Sequence, residues 1–389
     1  MMVLLLLGGL GGCAGAPSTG TEPEELYDPA RVRALGLTIS DGAWSALLAD
    51  PFTFVEASLQ ADERTLIVGV RLKGNSTFSP LDAKPSLIVD VAEWVPGQTL
   101  LGEERFNLHN GILDPSRMSE TLTYARLRAA DLPASRTGFV RLAVNGADYG
   151  LYTSVEPIRD GLLARWFDDP DGNLYEAGDQ SCDLDDPSCF EREETDEGSD
   201  TMLFALSADA SLVGDAWLEA MHQQLDWDRF VRGLAMDALL AHWDGYAFDR
   251  SNYHLYHEPT SNRWSFVPQS TDLDYGWRPF DDPDPRCGEY GVDPGEYTEG
   301  LLAAKCLADA ECRAEFEDAL LELAGDWEAS DPAAAIDTLD AIIGGEIASD
   351  TRAIYDEDAY VAQTACLRAW VTGRPEWVES WVRDSASSP

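Results

Sequence analysis

Residues 242–276 read HWDGYAFDRSNYHLYHEPTSNRWSFVPQSTDLDYG. SNYHLYHE and RWSFVPQ within this stretch have the pattern of two paired strands joined by a polar turn, a hairpin. Upstream, Trp227, Phe230, Val231, Leu234 and Ala238 recur at helical spacing, so a helix runs from Asp226 and stops at Asp244-Gly245. Downstream comes Thr271-Asp272-Leu273-Asp274. The stretch therefore places four polar groups at the ends of elements: Asp244 after a helix, Asn252 at the start of a hairpin, and Asp272 and Asp274 after it.

The pattern changes on either side. Residues 64–73 (RTLIVGVRLK) and 84–91 (KPSLIVDV) are rich in β-branched residues and read as strands, with Gly74-Asn75-Ser76-Thr77 as a polar turn between them. Asp114-Pro115 has the form of an N-cap followed by proline at the first helical position, and Met118, Leu122, Ala125 and Ala129 follow at helical spacing. Residues 139–144 and 149–156 alternate around Asn145-Gly146, a second hairpin signal. Residues 161–176 read as helical, and 299–383 as mostly helical and rich in Trp. A strand-rich first half enclosing one helix, then a helix-rich second half, predicts an α+β fold of two lobes with a cleft between them. The expected boundaries are 37–160 for the first lobe and 161–389 for the second. The second lobe carries an acidic insertion at 179–200, which reads as a solvated surface loop.

Composition narrows the function. The 389 residues carry 27 Lys plus Arg against 71 Asp plus Glu, a net charge of −44. Such a chain repels phosphate backbones, so nucleic acid is excluded as the default partner. Any anionic ligand would need a cation to bridge it. Val3–Leu10 is too short an apolar run to span a bilayer, and it ends in Leu10-Gly11-Gly12-Cys13. That ending resembles a lipobox, which makes Cys13 the expected acylation site, 1–13 a lipoprotein signal peptide and 14–36 a flexible tether. An ordinary secretory peptide cleaved nearby is the other reading. Ala14 after the cysteine, by resemblance to Gram-negative lipoproteins, implies an exported protein anchored by lipid at the outer membrane. The remaining six cysteines suit disulfides in an oxidising compartment. Cys182 with Cys189, Cys306 with Cys312 and Cys287 with Cys366 is the expected pairing among fifteen possible ones.

Lysine is rare here, which makes Lys84, at the start of an apolar strand, conspicuous. A lysine, an acid, an amide and a second acid, in the order Lys84, Asp244, Asn252, Asp272, suit phosphoryl transfer. The lysine neutralises phosphate oxygens, Asn and Asp offer hard oxygen ligands to Mg²⁺ or Mn²⁺, and the other Asp takes the acceptor's proton. In a chain with 71 acidic residues an Asp-x-Asp pair also arises by chance, and on composition alone turn-capping is the stronger reading of Asp272 and Asp274.

The stretch from about 66 to 280 resembles the CotH kinase family, secreted kinases with a much-altered protein-kinase fold. The matching pieces include RLKGNSTF (71–78), AKPSLIVDV (83–91), RFNLHN (105–110), DPSRMSETLTYARLRAADLPASRT (114–137), VNGADYGLYTSVEP (144–157) and the 242–276 stretch. The resemblance implies an atypical kinase-like fold, ATP and a divalent metal as cofactors, and transfer of the γ-phosphate to Ser or Thr of a protein substrate. It also implies roles for individual residues. Lys84 would contact the nucleotide phosphates, with Lys73, Gly74, Asn75 and Ser76 nearby. Glu120 would pair with Lys84, and Glu156 would sit at the adenine side. Asp244 would be the catalytic acid/base, with Asp249 as its competitor. Asn252 and Asp272 would hold the metal, with Asp274 a possible second ligand. The family commonly has arginine just before the helix glutamate; here that position is Ser119. A non-catalytic adhesin or coat-assembly protein on the same fold is the alternative.

Overall fold

The computed structural model describes residues 26–74, 77–177, 181–194, 200–276 and 293–385. Seven strands of the N-terminal half form a closed barrel: β1 (Val32–Ile39), β2 (Val55–Ala61), β3 (Arg64–Lys73), β4 (Ser86–Asp90), β5 (Arg105–His109), β6 (Thr137–Val144) and β7 (Ala147–Val155). Their order is β1-β2-β3-β4-β5-β7-β6, closed by a parallel β1–β6 pairing. The α+β expectation stands, but the first lobe is a barrel where an open kinase-like sheet was implied. Closure hides the strand edges that an open sheet would expose. Alternation drives it: β2 buries every second side chain, and Leu37, Val70, Val89, Phe106 and Leu142 fill a single interior. The turn between β6 and β7 carries Asn145 at φ 49° and Gly146 at φ 79°, the backbone a two-residue hairpin requires. β1 begins at Val32, inside the stretch read as a tether.

A second sheet, of order β11-β10-β8-β9, joins β8 (Asn173–Ala177), β9 (Phe190–Glu194), β10 (Tyr253–Glu258) and β11 (Arg263–Pro268). The hairpin read from the sequence is thus β10–β11. The helix expected over 161–176 is only Asp160–Trp166, because β8 begins at Asn173. The acidic insertion is not simply a solvated loop. Cys182 and Cys189 are disulfide-bonded, Leu184 is wholly buried, and β9 adds an edge strand to the sheet.

Asp183, also buried, accepts hydrogen bonds from Leu184 N and from Leu301 N, the first residue of the helix Leu301–Ala308, both at 2.6 Å. Burial pushes its carboxyl up to about 6, against the pull of those two N–H donors. The fold therefore favours the protonated form, and stability falls as pH rises from about 4 to about 6. Asp183→Asn keeps an acceptor without the charge. It is expected to raise the unfolding free energy at pH 7.5 by up to about 3 kcal/mol and to change little at pH 4, as chemical denaturation at the two pH values would read.

Four helices, Leu301–Ala308, Ala310–Ala329, Pro332–Ala348 and Glu357–Ser385, account for most of the rest. Cys306 is bonded to Cys312, and Cys366 is disulfide-bonded; Cys287, its expected partner, lies outside the described residues, as does Cys13. Disulfides point to an exported protein. Among the described residues no helix is long and apolar enough to cross a membrane.

Candidate functional site

The site begins where the helix Trp227–Leu240 ends. Ala241 turns left-handed at φ 52°, and His242 N returns to the Asp237 carbonyl at 2.9 Å. A Cβ on Gly245 would stand 2.1 Å from the His242 ring, so only glycine lets the chain fold back here. The helix end is held by Arg374, which is fully buried. Its Nε donates to the Leu239 carbonyl at 3.1 Å and its Nη2 to that of Ala238, and its guanidinium lies over the Trp377 ring at 4.4 Å. This frame presents Asp244.

Asn252, left-handed at φ 54°, donates through Nδ2 to the Asp244 carbonyl (2.8 Å) and to its Oδ2 (2.7 Å). Burial pushes the Asp244 carboxyl up to about 6, with Asp249 adding to the rise and His242 and the Asn252 amide opposing it. Asp249 ends the short helix Tyr246–Asp249 and meets the hydroxyl of Ser251 at 3.2 Å.

Asp274 and Asp272 have opposite surroundings. Asp274 is fully buried and both its oxygens are engaged, Oδ1 with His242 Nδ1 at 2.6 Å and Oδ2 by the Thr123 hydroxyl at 2.5 Å. Burial pulls the His242 ring down, but Asp274 outweighs it and raises the ring to about 9, so it stands as an imidazolium at neutral pH. Asp274 is therefore a strut tying the helix Ser119–Ala129 to the Asp244 turn. Asp272 is only half-buried, and among the described residues no side chain hydrogen-bonds or ion-pairs with its carboxyl group, which is met only by its own backbone N–H. Burial, Glu120, Asp114 and Asp244 all hold its carboxyl well above the usual range.

The N-terminal residues are arranged differently from expectation. Glu120 does not pair with Lys84. Its two oxygens lie 3.0 and 2.9 Å from His109 Nδ1, on β5. Lys84, 2% exposed, pairs with Asp350. Burial and Arg117 lower its ammonium to about 8. Arg117 lies at φ 60°, which breaks the chain away from helix. The helix consequently starts at Ser119 rather than Pro115, and Asp114 caps it from a distance through the Ser119 N–H at 2.8 Å. Glu156 is engaged by Arg136, at 3.0 Å from Nε, and by Arg165, which makes it a buried anchor of the β7 end. Lys73 ends β3, and its charge acts on His254 of β10; Gly74 follows at φ 118°. Asn75 and Ser76 lie outside the described residues.

The structure thus brings Asp244, Asn252, Asp272 and Glu120 into one acidic neighbourhood and pairs Lys84 with Asp350. Open oxygens remain on Asp272, Asp244 and the Asn252 amide. Among the described residues no three His, Cys, Asp or Glu side chains group closely enough to hold a metal alone. The Asp272 carboxylate and the Asn252 amide oxygen fit a hard divalent cation that keeps waters and shares its shell with phosphate oxygens, which leaves the open Asp244 oxygen to act as a base. Asp274, its oxygens engaged, does not fit as a ligand.

Sequence reasoning singled out none of His109, His242, Asp350 and Arg374 for the site. His242 at the head of the HWD turn carried a local signal; the others are distant in sequence and carried none.

A family model described as "CotH kinase protein" matches residues 70–378. Invasin CotH2 of Rhizopus delemar is 26% identical over 260 residues, covering 58% of this chain and 41% of that protein. Invasin CotH3 of the same fungus is 24% identical over 257 residues, covering 59% and 42%. The matched chain thus spans about two fifths of these relatives' length. A crystal structure of the Helicobacter pylori proinflammatory kinase CtkA aligns over 72% of this chain and 92% of its own, at 8% identity and a TM-score of 0.33.

Proposed function

The chain belongs to the CotH kinase family, and on that premise we propose that it is an exported protein kinase, anchored through Cys13, that transfers the γ-phosphate of ATP to Ser or Thr hydroxyls. The observation that carries this reading is Asp272: a half-buried acid that no cationic or hydrogen-bonding side chain meets among the described residues, surrounded by Glu120, Asp114 and Asp244. Such a group costs stability unless a cation arrives. Asp272 and the Asn252 amide oxygen would hold Mg²⁺ or Mn²⁺, which, when bound, offsets the charge of the triphosphate against a protein of net charge −44.

Asp244 would accept the proton of the attacking hydroxyl. The hydroxyl oxygen bonds to Pγ, the bond from Pγ to the β–γ bridging oxygen breaks, and ADP leaves. With a carboxyl near 6, Asp244 is mostly ionised at pH 7.5 and basic enough to assist. The Asn252 hydrogen bonds fix its orientation.

The test is transfer of labelled phosphate from ATP to a generic basic protein. Asp244→Asn is expected to lower transfer about a hundredfold or more, with ATP affinity nearly unchanged. Equal labelling by wild type and variant would remove Asp244 from the mechanism. A second reading, a non-catalytic surface-binding protein, is favoured by the absence of a Lys84–Glu120 pair and by the invasin names of the relatives. No thermal stabilisation by millimolar ATP with Mn²⁺ would select it.

A further inference from the structure

Lys84 sits in a cradle of its own. Its ammonium pairs with Asp350 Oδ2, and the same oxygen accepts the Leu151 N–H at 3.0 Å. Asp350 Oδ1 accepts the Arg352 N–H at 2.9 Å. A Cβ on Gly150, at φ 82°, would stand 1.9 Å from Asp350 Oδ1, so a glycine is needed to admit the carboxylate. The Tyr152 ring lies 5.2 Å from the ammonium. An ammonium, a strand N–H and a Cβ-free position facing one point form a donor set for an oxyanion, whether carboxylate or phosphate. The chain fills it with its own carboxylate.

That carboxylate arrives on a strap. Residues 346–355 leave the end of the helix Pro332–Ala348 and lie against the barrel. Arg141 holds the Glu346 carboxylate and the Ser349 hydroxyl, each at 2.8 Å. Arg352 lies over the Tyr149 ring at 3.9 Å and donates to the carbonyls of Asp82, at 2.7 Å, and Ala83. Tyr355 donates to the Ile112 carbonyl at 2.9 Å. The strap thus grips the segment just before Lys84 and the strand beneath it, and Lys84 is held by Asp350 while Glu120 faces His109.

We propose that the Lys84 cradle is a phosphate site closed by Asp350 as an intramolecular occupant, so that a nucleotide phosphate reaches Lys84 only by displacing the strap. This rests on the kinase reading above. A ligand that needs the strap open binds with an affinity reduced by the fraction open, so weakening the strap tightens binding.

Calorimetric titration of the full chain with ATP and Mn²⁺ tests it. Asp350→Asn is expected to lower the dissociation constant by about tenfold. Arg352→Gln, which leaves the buried pair intact, is expected to shift it the same way by a smaller factor. Lys84→Met is expected to lose most of the affinity, and Lys84→Met/Asp350→Leu to bind no better than Lys84→Met. Removing one partner of a buried ion pair destabilises a fold; if Asp350→Asn does not fold, Arg352→Gln decides. Unchanged or weaker binding in both strap variants, with Lys84→Met still defective, would overturn the closure and leave the kinase reading standing. Wild-type affinity in Lys84→Met, or no binding by the wild type, would overturn the role of Lys84 in that reading and the closure with it.

Discussion

Asp272→Asn is expected to reduce phosphate transfer from ATP by about a thousandfold or more while leaving the thermal midpoint unchanged or raising it. The two effects share one cause. The folded protein holds the Asp272 carboxyl well above its ordinary range, through burial and through Glu120, Asp114 and Asp244. Folding therefore favours the protonated form. The stability it contributes is present at pH values below about 4 and is lost as pH rises through the folded value. Above about pH 4 folding must either keep the group protonated or bury its charge, and the uncharged amide removes that cost. The gain in stability is expected to be larger at pH 8 than at pH 4, read by thermal melts at both. A residue that served only to cap its turn would do the reverse: the variant would melt several degrees lower and keep its activity.

Arg374→Met is expected to cost roughly 3 kcal/mol of unfolding free energy in a denaturant titration. The guanidinium is fully buried and donates to the Ala238 and Leu239 carbonyls at the end of the helix Trp227–Leu240. Methionine would fill much of the space but leave the Leu239 carbonyl without this donor and the Ala238 carbonyl with only the long 3.4 Å bond from Ala241 N, and a cation would be lost from a helix C-terminus, where it is favourable. The helix end leads directly into the His242–Asp244 turn. The variant is therefore expected to lower the turnover number more than it changes the KM for ATP, since the base moves while the Asp272–Asn252 pair remains. A loss of stability with turnover unchanged would limit Arg374 to packing.

Local patterns in the sequence carried most of the fold. Strand alternation in 64–73 and 139–156 and helical spacing from Asp226 each reflect burial of one face, which leaves a trace every second or every third to fourth residue. Closure of the barrel left no such trace, because the parallel β1–β6 pairing joins residues more than a hundred positions apart. The start of the helix at Ser119 was misread because Asp114-Pro115 has the right residues for a cap, yet Arg117 takes a left-handed backbone that no propensity signals. The expected Lys84–Glu120 pair came from resemblance, and the fold replaced it with two pairs, Lys84–Asp350 and Glu120–His109. Asp350 lies 266 residues from Lys84, and only tertiary packing relates them. The association of Asp244, Asn252 and Asp272 was legible because all three lie at element ends within one short stretch. That Asp274 is a strut was not, since its partners Thr123, within one helix, and His242, just past the end of another, are brought together by packing.

The central claim is a cation-bridged triphosphate held at Asp272 and Asn252. Crystals of the full chain grown with Mn²⁺ and a non-hydrolysable ATP analogue, measured for the anomalous signal of manganese, test it most directly. The account expects a manganese peak within coordination distance of the Asp272 carboxylate and the Asn252 amide oxygen, with phosphate oxygens completing its shell. Nucleotide bound elsewhere, or a manganese peak that Asp272 does not touch, would contradict it.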